Sequence, residues 1–203
     1  MKTIEIPEPK LSRFLFSDTR FAWVWLIVRL YVGYEWFMAG WGKFVNPAWT
    51  GTSIPSGAGF SGGFPPPAIT PVAGDAIKGF FAGALQKASG AHPDVSGWYA
   101  FFIQYVAMPN AVFFSYLITF GEIAVGVALI LGIFSGIAAF FGTFMNLNYL
   151  FAGTISVNPV LFLLQLLLIL AWRTAGWIGL DHYVLPAIGT PWQPGSLFTR
   201  QKN

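Results

Sequence analysis

Four long apolar segments, separated by short polar turns or by one long loop, predict the main elements of this chain of 203 residues. They cover about residues 21–44, 111–134, 135–155 and 159–177. A helix of about 20 residues crosses about 30 Å of hydrocarbon, so each segment is long enough, or nearly so, to span a bilayer. The pattern predicts an all-α membrane protein, a single domain over residues 1–203 that forms a bundle of four transmembrane helices.

The loop between the first two segments, about residues 45–110, carries two shorter amphipathic stretches. Residues 51–67 are rich in Gly, Ser and Pro and are predicted to be irregular. Residues 72–88 place apolar side chains on one helical stripe, and residues 98–108 are strongly aromatic. We expect both stretches to form short helices that lie in the headgroup region and cap the bundle. A loop that packs only on itself is the alternative.

Composition supports the membrane assignment and excludes several kinds of site. Charged residues make up 9% of the chain and hydrophobic residues 55%, whereas an ordinary soluble domain carries about 25% charged residues. The absence of cysteine excludes disulfides, iron–sulfur clusters and covalently attached haem. Neither His92 nor His182 falls inside an apolar segment, and the glycine string at residues 57–62 follows no predicted strand. No bound haem, flavin or metal is therefore expected, and nothing in the sequence indicates nucleic-acid binding.

The distribution of basic residues predicts the topology. An even number of spans puts both termini on one side of the membrane. That side carries Lys2, Lys10, Arg13, Arg20, Arg173, Arg200 and Lys202, and the loop side carries Lys43, Lys78 and Lys87. Because basic residues favour the cytoplasmic side, we expect a multi-pass protein of the cell membrane with cytoplasmic termini and an external long loop.

Three charged residues inside the apolar segments mark the candidate catalytic site: Arg29, Glu35 and Glu122. A charge in hydrocarbon costs from about 2.5 to above 10 kcal/mol, so such residues are kept when they pair, bind a ligand or move protons. At about 1.5 Å per residue, they fall in the middle or outer half of the membrane. By depth, Arg29 and Glu122 form the best-matched ion pair. An arrangement in which these residues only stabilise packing stays open.

Five further residues are predicted to bind substrate or quinone around the same outward-facing cavity: Trp36, Lys43, Asn146, Tyr149 and Gln165. The sequence offers no resident redox centre, so electron transfer would need a diffusible carrier. A membrane quinone is the expected carrier, since aromatic walls, an acid and a cation suit its ring and carbonyl oxygens.

Several short segments together carry a family resemblance. They read RLYVGYEWFMAGWGKF at residues 29–44, AMPN at 107–110, GEIAVGVALILGIFSGIAAFFGTFMNLNYLFAGT at 121–154, NP at 158–159 and GLD at 179–181. In order and spacing the chain resembles the DoxX/DoxD family, specifically the membrane subunit of thiosulfate:quinone oxidoreductase. The residues that match the family pattern are Arg29, Glu35, Lys43, Glu122, Asn146, Asn158 and Asp181. The resemblance implies a four-helix membrane bundle, oxidation of thiosulfate to tetrathionate with electrons passed to quinone, and a small second subunit.

Two other functions are compatible with the same sequence. The chain could be a non-catalytic membrane anchor for soluble redox enzymes, in which case the polar cluster would be structural. It could also be a small proton-coupled transporter, although the chain shows no internal repeat, which argues against this. Partners expected in every case are the lipid bilayer and, for the redox hypotheses, a quinone and a second subunit or soluble enzyme; a homo-oligomer stays open.

Overall fold

The computed structural model describes residues 8–51, 71–190 and 193–197. The described chain is mostly helical, and its only pairing of strands is a short antiparallel ladder between two-residue strands. The elements are α1 (Lys10–Ser17), α2 (Ala22–Phe44), α3 (Pro47–Thr50), α4 (Asp75–Lys87), α5 (Gly97–Phe102), α6 (Ala111–Leu131), α7 (Ser135–Phe151), α8 (Asn158–Leu170), α9 (Trp172–Ala175), α10 (Asp181–Ile188), β1 (Gly189–Thr190) and β2 (Gln193–Pro194). The predicted irregular stretch after Gly51, and the basic residues Lys2, Arg200 and Lys202, lie outside the described residues.

The four predicted apolar segments correspond to α2, α6, α7 and α8, which pack side by side around one apolar core. Within the described ranges, α6 is the helix that is both long and apolar enough to cross a membrane by length and composition. The helix α8 is apolar but has 13 residues, and α7 has 17. The described residues therefore contain one clear candidate span.

The fourth predicted apolar segment, residues 159–177, forms two helices, α8 and α9, because the helix breaks at Ala171. Its backbone moves to φ −87° and ψ 18°, and its carbonyl accepts the amide of Thr174, three residues on, at 2.8 Å. The same carbonyl accepts the amide of Ala175, four residues on, at 2.7 Å, so Ala171 ends one helix and begins the next. The Thr174 hydroxyl donates to Phe16 O at 3.1 Å, which links the break to α1. Helix α1 itself lies before the first predicted apolar segment.

The turn between α6 and α7 has a specific backbone geometry. Helix α6 ends at Leu131, and the next residue, Gly132, has a left-handed φ of 67°. The amides of Gly132 and Ile133 donate to Leu129 O and Ala128 O. This is a Schellman motif, which glycine favours because it has no Cβ. The predicted span to residue 134 therefore stops at Leu131, since the chain reverses direction there.

Helices α2 and α6 approach each other closely because glycine lies at their crossing. A Cβ added at Gly40 would lie 2.7 Å from Ile123 N and 2.9 Å from Glu122 Cβ. The same helix has a second glycine, Gly42, where an added Cβ would meet no atom within 4 Å. A substitution at Gly42 therefore reports the helix propensity alone, whereas the same substitution at Gly40 reports the helix propensity together with the close packing of α2 and α6.

Alanine substitutions at these two glycines are expected to change stability in opposite directions. Gly42→Ala should raise the free energy of unfolding by up to about 1 kcal/mol through helix propensity. Gly40→Ala should lower it by about 1–3 kcal/mol, because α6 must move away from α2. Denaturant unfolding of the purified protein in detergent, followed by circular dichroism, measures both. Equal changes at the two positions would contradict the close-packing argument.

The two amphipathic stretches form the predicted helices and cover one end of the helical body, here called the loop end. Ile77, Phe81 and Ala84 of α4 are buried, as the predicted stripe requires. The second stretch forms α5 and continues as a π-helix over Ile103–Ala107. Lys87 at the end of α4 donates to Gly153 O at 2.7 Å, which ties this layer to the end of α7.

Candidate functional site

The centre of the candidate site is an ion pair near the loop end. Lys43, in the last turn of α2, lies with its Nζ 2.6 Å from Glu122 Oε2 on α6. The Glu122 side chain is 1% exposed and that of Lys43 is 19% exposed. The ammonium also lies 5.2 Å from the centre of the Trp49 ring, within range of a cation–π contact. One partner is therefore enclosed by protein, while the other reaches the surface.

The second oxygen of Glu122 is bonded to α7. Tyr149 Oη donates to Glu122 Oε1 at 2.5 Å, a length typical of a hydroxyl bonded to a carboxylate. The Tyr149 ring stacks on Trp36 at 6.4 Å and meets the edge of Phe80 at 6.1 Å. The carboxylate thus joins α2 and α7 through α6, and aromatic rings hold the tyrosine in place.

A buried amide pair extends the polar chain to α8. Asn146 Nδ2 donates to Gln165 Oε1 at 2.5 Å, and both residues are fully buried. In the opposite orientation of the Gln165 amide, its oxygen accepts from Trp36 Nε1 at 2.5 Å. A Cβ at Gly142 would overlap the Gln165 amide, so the absence of a side chain there leaves room for the pair. Six of the eight predicted site residues are thereby brought together: Trp36, Lys43, Glu122, Asn146, Tyr149 and Gln165.

Arg29 lies elsewhere, and the predicted pair of Arg29 with Glu122 is wrong. Its Nη2 donates to Ile178 O at 2.8 Å, and its guanidinium packs against Gly132 at the opposite end of the helical body, here called the terminal end. Side chains on a helix tilt toward its N-terminus. That tilt carries Arg29 toward the terminal end and brings Lys43 back to the level of Glu122. The depth of a residue estimated from its Cα position does not include this tilt, so it indicated Arg29 rather than Lys43 as the partner of Glu122.

Glu35 is not brought to the site either. It is half-buried on another face of α2 and makes no hydrogen bond or ion pair with any residue that the structure describes. Asp181 has a role that the sequence did not indicate. Its carboxylate accepts the amides of Phe134 at 2.6 Å and Ser135 at 2.9 Å, which caps the start of α7. The GLD segment of the family resemblance was the available signal for this position.

An apolar groove of about 560 Å³ lies between α6 and α7 and reaches the candidate site. Helices α6 and α7 line its two sides, with Gly121, Ala124 and Ala128 as the small residues of α6, and α4 and α5 contribute to its lining at the loop end. The lining includes Phe80, Phe81, Tyr99, Phe102, Phe114, Leu117, Gly121, Ala124, Ala128, Phe134, Ile137, Phe141, Phe144, Met145, Asn148 and Tyr149. Burial raises the pKa of Tyr99 to about 12. Its hydroxyl is therefore protonated at neutral pH and donates to Asn148 O at 3.0 Å.

Comparison with known proteins adds one match. Residues 79–154 match the DoxX family model. The match begins in α4 and ends just after α7, so it contains Glu122, Asn146 and Tyr149 but not the part of the site on α2 and α8. The match supports the resemblance to the DoxX family and the prediction of a membrane protein of the DoxX type. No curated protein and no solved structure matches the chain. In the described ranges, no three His, Asp or Glu side chains are grouped closely enough to hold a metal ion.

Proposed function

We propose that this DoxX-type protein is the membrane subunit of a quinone-linked oxidoreductase, with the quinone head beside Tyr149. The observation that supports it is the hydrogen-bonded chain from Lys43 through Glu122 to Tyr149. One end of this chain is partly exposed at the loop end, and the other borders an apolar groove. In the proposal α2, α6, α7 and α8–α9 cross the membrane, the loop end faces outward and both termini are cytoplasmic.

The chain of three side chains can deliver protons to a quinone oxygen. Reduction of a quinone to a quinol consumes two electrons and two protons. After its O–H turns away from Glu122, Tyr149 donates a proton to the quinone. The Glu122 carboxylate then takes a proton from Lys43 at Oε2, turns, and passes that proton to the Tyr149 oxygen. Lys43 regains a proton from outer water, and a second round supplies the second proton of the quinol. This route agrees with the general rule that charged residues kept in a membrane often mark proton relays.

Thiosulfate is the electron donor that the family resemblance implies. Two thiosulfate anions each lose one electron and join through a new S–S bond to give tetrathionate. The two electrons and two protons convert one quinone to one quinol, so the reaction balances. The partly exposed Lys43 ammonium would attract the external dianion. Arg29 has no part in this step, because it is buried at the terminal end.

The test is optical reduction of decylubiquinone by the purified protein, with and without thiosulfate. We expect reduction that depends on thiosulfate. A folded protein that neither binds nor reduces the quinone would refute the proposal. Reduction that appears only after a second subunit is added would keep the quinone site and make the donor site a shared one.

The Tyr149 hydroxyl is expected to matter for reduction and the Tyr99 hydroxyl is not. Tyr149→Phe keeps the ring stacked on Trp36 and removes the donor to Glu122, so the rate should fall by about 100-fold. Tyr99→Phe is the matched control, since Tyr99 also lines the groove but bonds to Asn148. Equal rates in the two variants would remove Tyr149 from the proposed proton path.

A non-catalytic anchor is the second candidate. Two observations favour it: both oxygens of Glu122 are already bonded to side chains, and α5 with the following π-helix exposes Trp98, Phe101 and Tyr105 by about 60% or more. Such a surface would suit a partner protein or the headgroup region. Co-purification of a soluble redox enzyme from native membranes, together with an inert purified protein, would favour the anchor over the enzyme.

A further inference from the structure

The gap between α6 and α7 stays open because each helix is held on its opposite side. Helix α6 packs closely on α2, where a Cβ at Gly40 would lie 2.7 Å from Ile123 N. Helix α7 is joined to α8 by the Asn146–Gln165 amide pair. Between them, Ala124 and Ala128 face Phe141 and Phe144 without filling the space. The groove is therefore a built feature of the packing.

The two ends of the groove differ in chemistry. At the loop end it is bordered by Tyr149 and Asn148, both with polar atoms, under the aromatic cover of α4 and α5. Toward the terminal end it runs down to Phe134 and Ile137, and the lining there is apolar. An occupant matched to this groove has a small polar head at the loop end and a hydrocarbon chain along its length.

We infer that the groove holds the isoprenoid tail of a membrane quinone whose head lies beside Tyr149; this inference rests on the proposed function. Charge complementarity selects this occupant over a phospholipid. None of the described lining residues is charged, whereas a phosphate group would require a cation at the mouth. Neither Lys43, bonded to Glu122, nor Lys87, bonded to Gly153 O, lines the groove. The polar side chains at this end, Tyr149 and Asn148, are uncharged, and their donors already bond Glu122 and Phe144 O, so this end suits an uncharged head rather than a charged one.

The test fills the groove with a larger side chain. Ala124→Phe places a ring in the groove, and Ala128→Phe does so one turn nearer the terminal end. Val127→Phe is the matched control, because Val127 lies on the same helix, is 38% exposed and does not line the groove. Each protein is placed in nanodiscs of one phospholipid composition. Binding of decylubiquinone and of tail-less ubiquinone is measured by quenching of tryptophan fluorescence.

We expect both groove variants to weaken binding of decylubiquinone by about tenfold, equivalent to 1.4 kcal/mol. Val127→Phe should bind it as the unchanged protein does, and tail-less ubiquinone should bind all four proteins equally. A similar loss of decylubiquinone affinity in both groove variants would indicate that the tail is excluded, because a folding defect in one variant would lower the affinity of that variant alone.

The contrary outcomes are distinct. Equal decylubiquinone affinity in the unchanged protein and both groove variants would overturn the tail site and leave the head site in place. Failure of the unchanged protein to bind either quinone would overturn the proposed function together with this inference. Loss of co-purified phospholipid from the groove variants, with quinone affinity unchanged, would assign the groove to a lipid chain and overturn the inference.

Discussion

Replacement of Glu122 by glutamine is expected to lower quinone reduction by about 100-fold or more while the protein stays folded. Glutamine keeps the shape of the side chain and the contacts of α6 with its neighbours, but it cannot relay a proton between Lys43 and Tyr149. Thiosulfate-dependent reduction of decylubiquinone, measured per mole of folded protein, is the readout.

A double variant separates this catalytic loss from a structural one. Glu122→Gln leaves the Lys43 ammonium without its counter-charge and should lower the free energy of unfolding by about 1–3 kcal/mol. Adding Lys43→Gln removes that unpaired charge, so stability should recover while reduction stays low. Recovery of both stability and reduction in the double variant would show that the ion pair acts only through packing and carries no proton to the quinone.

Replacement of Asp181 by alanine is expected to be the most destabilising of these changes, by about 3–5 kcal/mol. The carboxylate accepts the amides of Phe134 and Ser135 and is the acidic group that acts electrostatically on the buried Arg29. Its removal leaves two amides at the start of α7 without an acceptor and a buried guanidinium without a compensating charge. Denaturant unfolding in detergent measures the loss.

The matched control is Asp94→Ala, since Asp94 is an exposed aspartate in the loop between α4 and α5. A surface substitution of this kind should change stability by no more than about 0.5 kcal/mol. Because Asp181 lies at the terminal end, the reduction rate per folded molecule should be unchanged in Asp181→Ala. A selective loss of reduction without a loss of stability would instead place Asp181 in the reaction.

Within the described residues, most helix positions and buried faces follow from local sequence. Arg29, Gly33, Trp36 and Gly40 lie at helical spacing and are buried along α2, whereas Lys43, the last residue of the same stripe, is partly exposed. Ser115, Thr119, Glu122 and Gly126 are likewise buried along one face of α6. The helix period is a property of the backbone alone, so a single sequence carries it. For the same reason the amphipathic stripe of α4 could be predicted before its partner surface was known.

Only the tertiary structure decided which polar residues meet. The packing of α2 against α6 places glycine at the point where the two helices cross. The side chains of α2 point toward its N-terminus. These two effects pair Glu122 with Lys43 and direct Arg29 to Ile178, although depth along the sequence favoured Arg29. The break at Ala171 and the open α6–α7 groove likewise depend on contacts between distant segments. The sequence by itself therefore determined the helical class, the buried faces of the helices and the candidate residues. The packing of the helices determined which of these residues bond to each other, because the distance between two side chains on different helices depends on how those helices are placed.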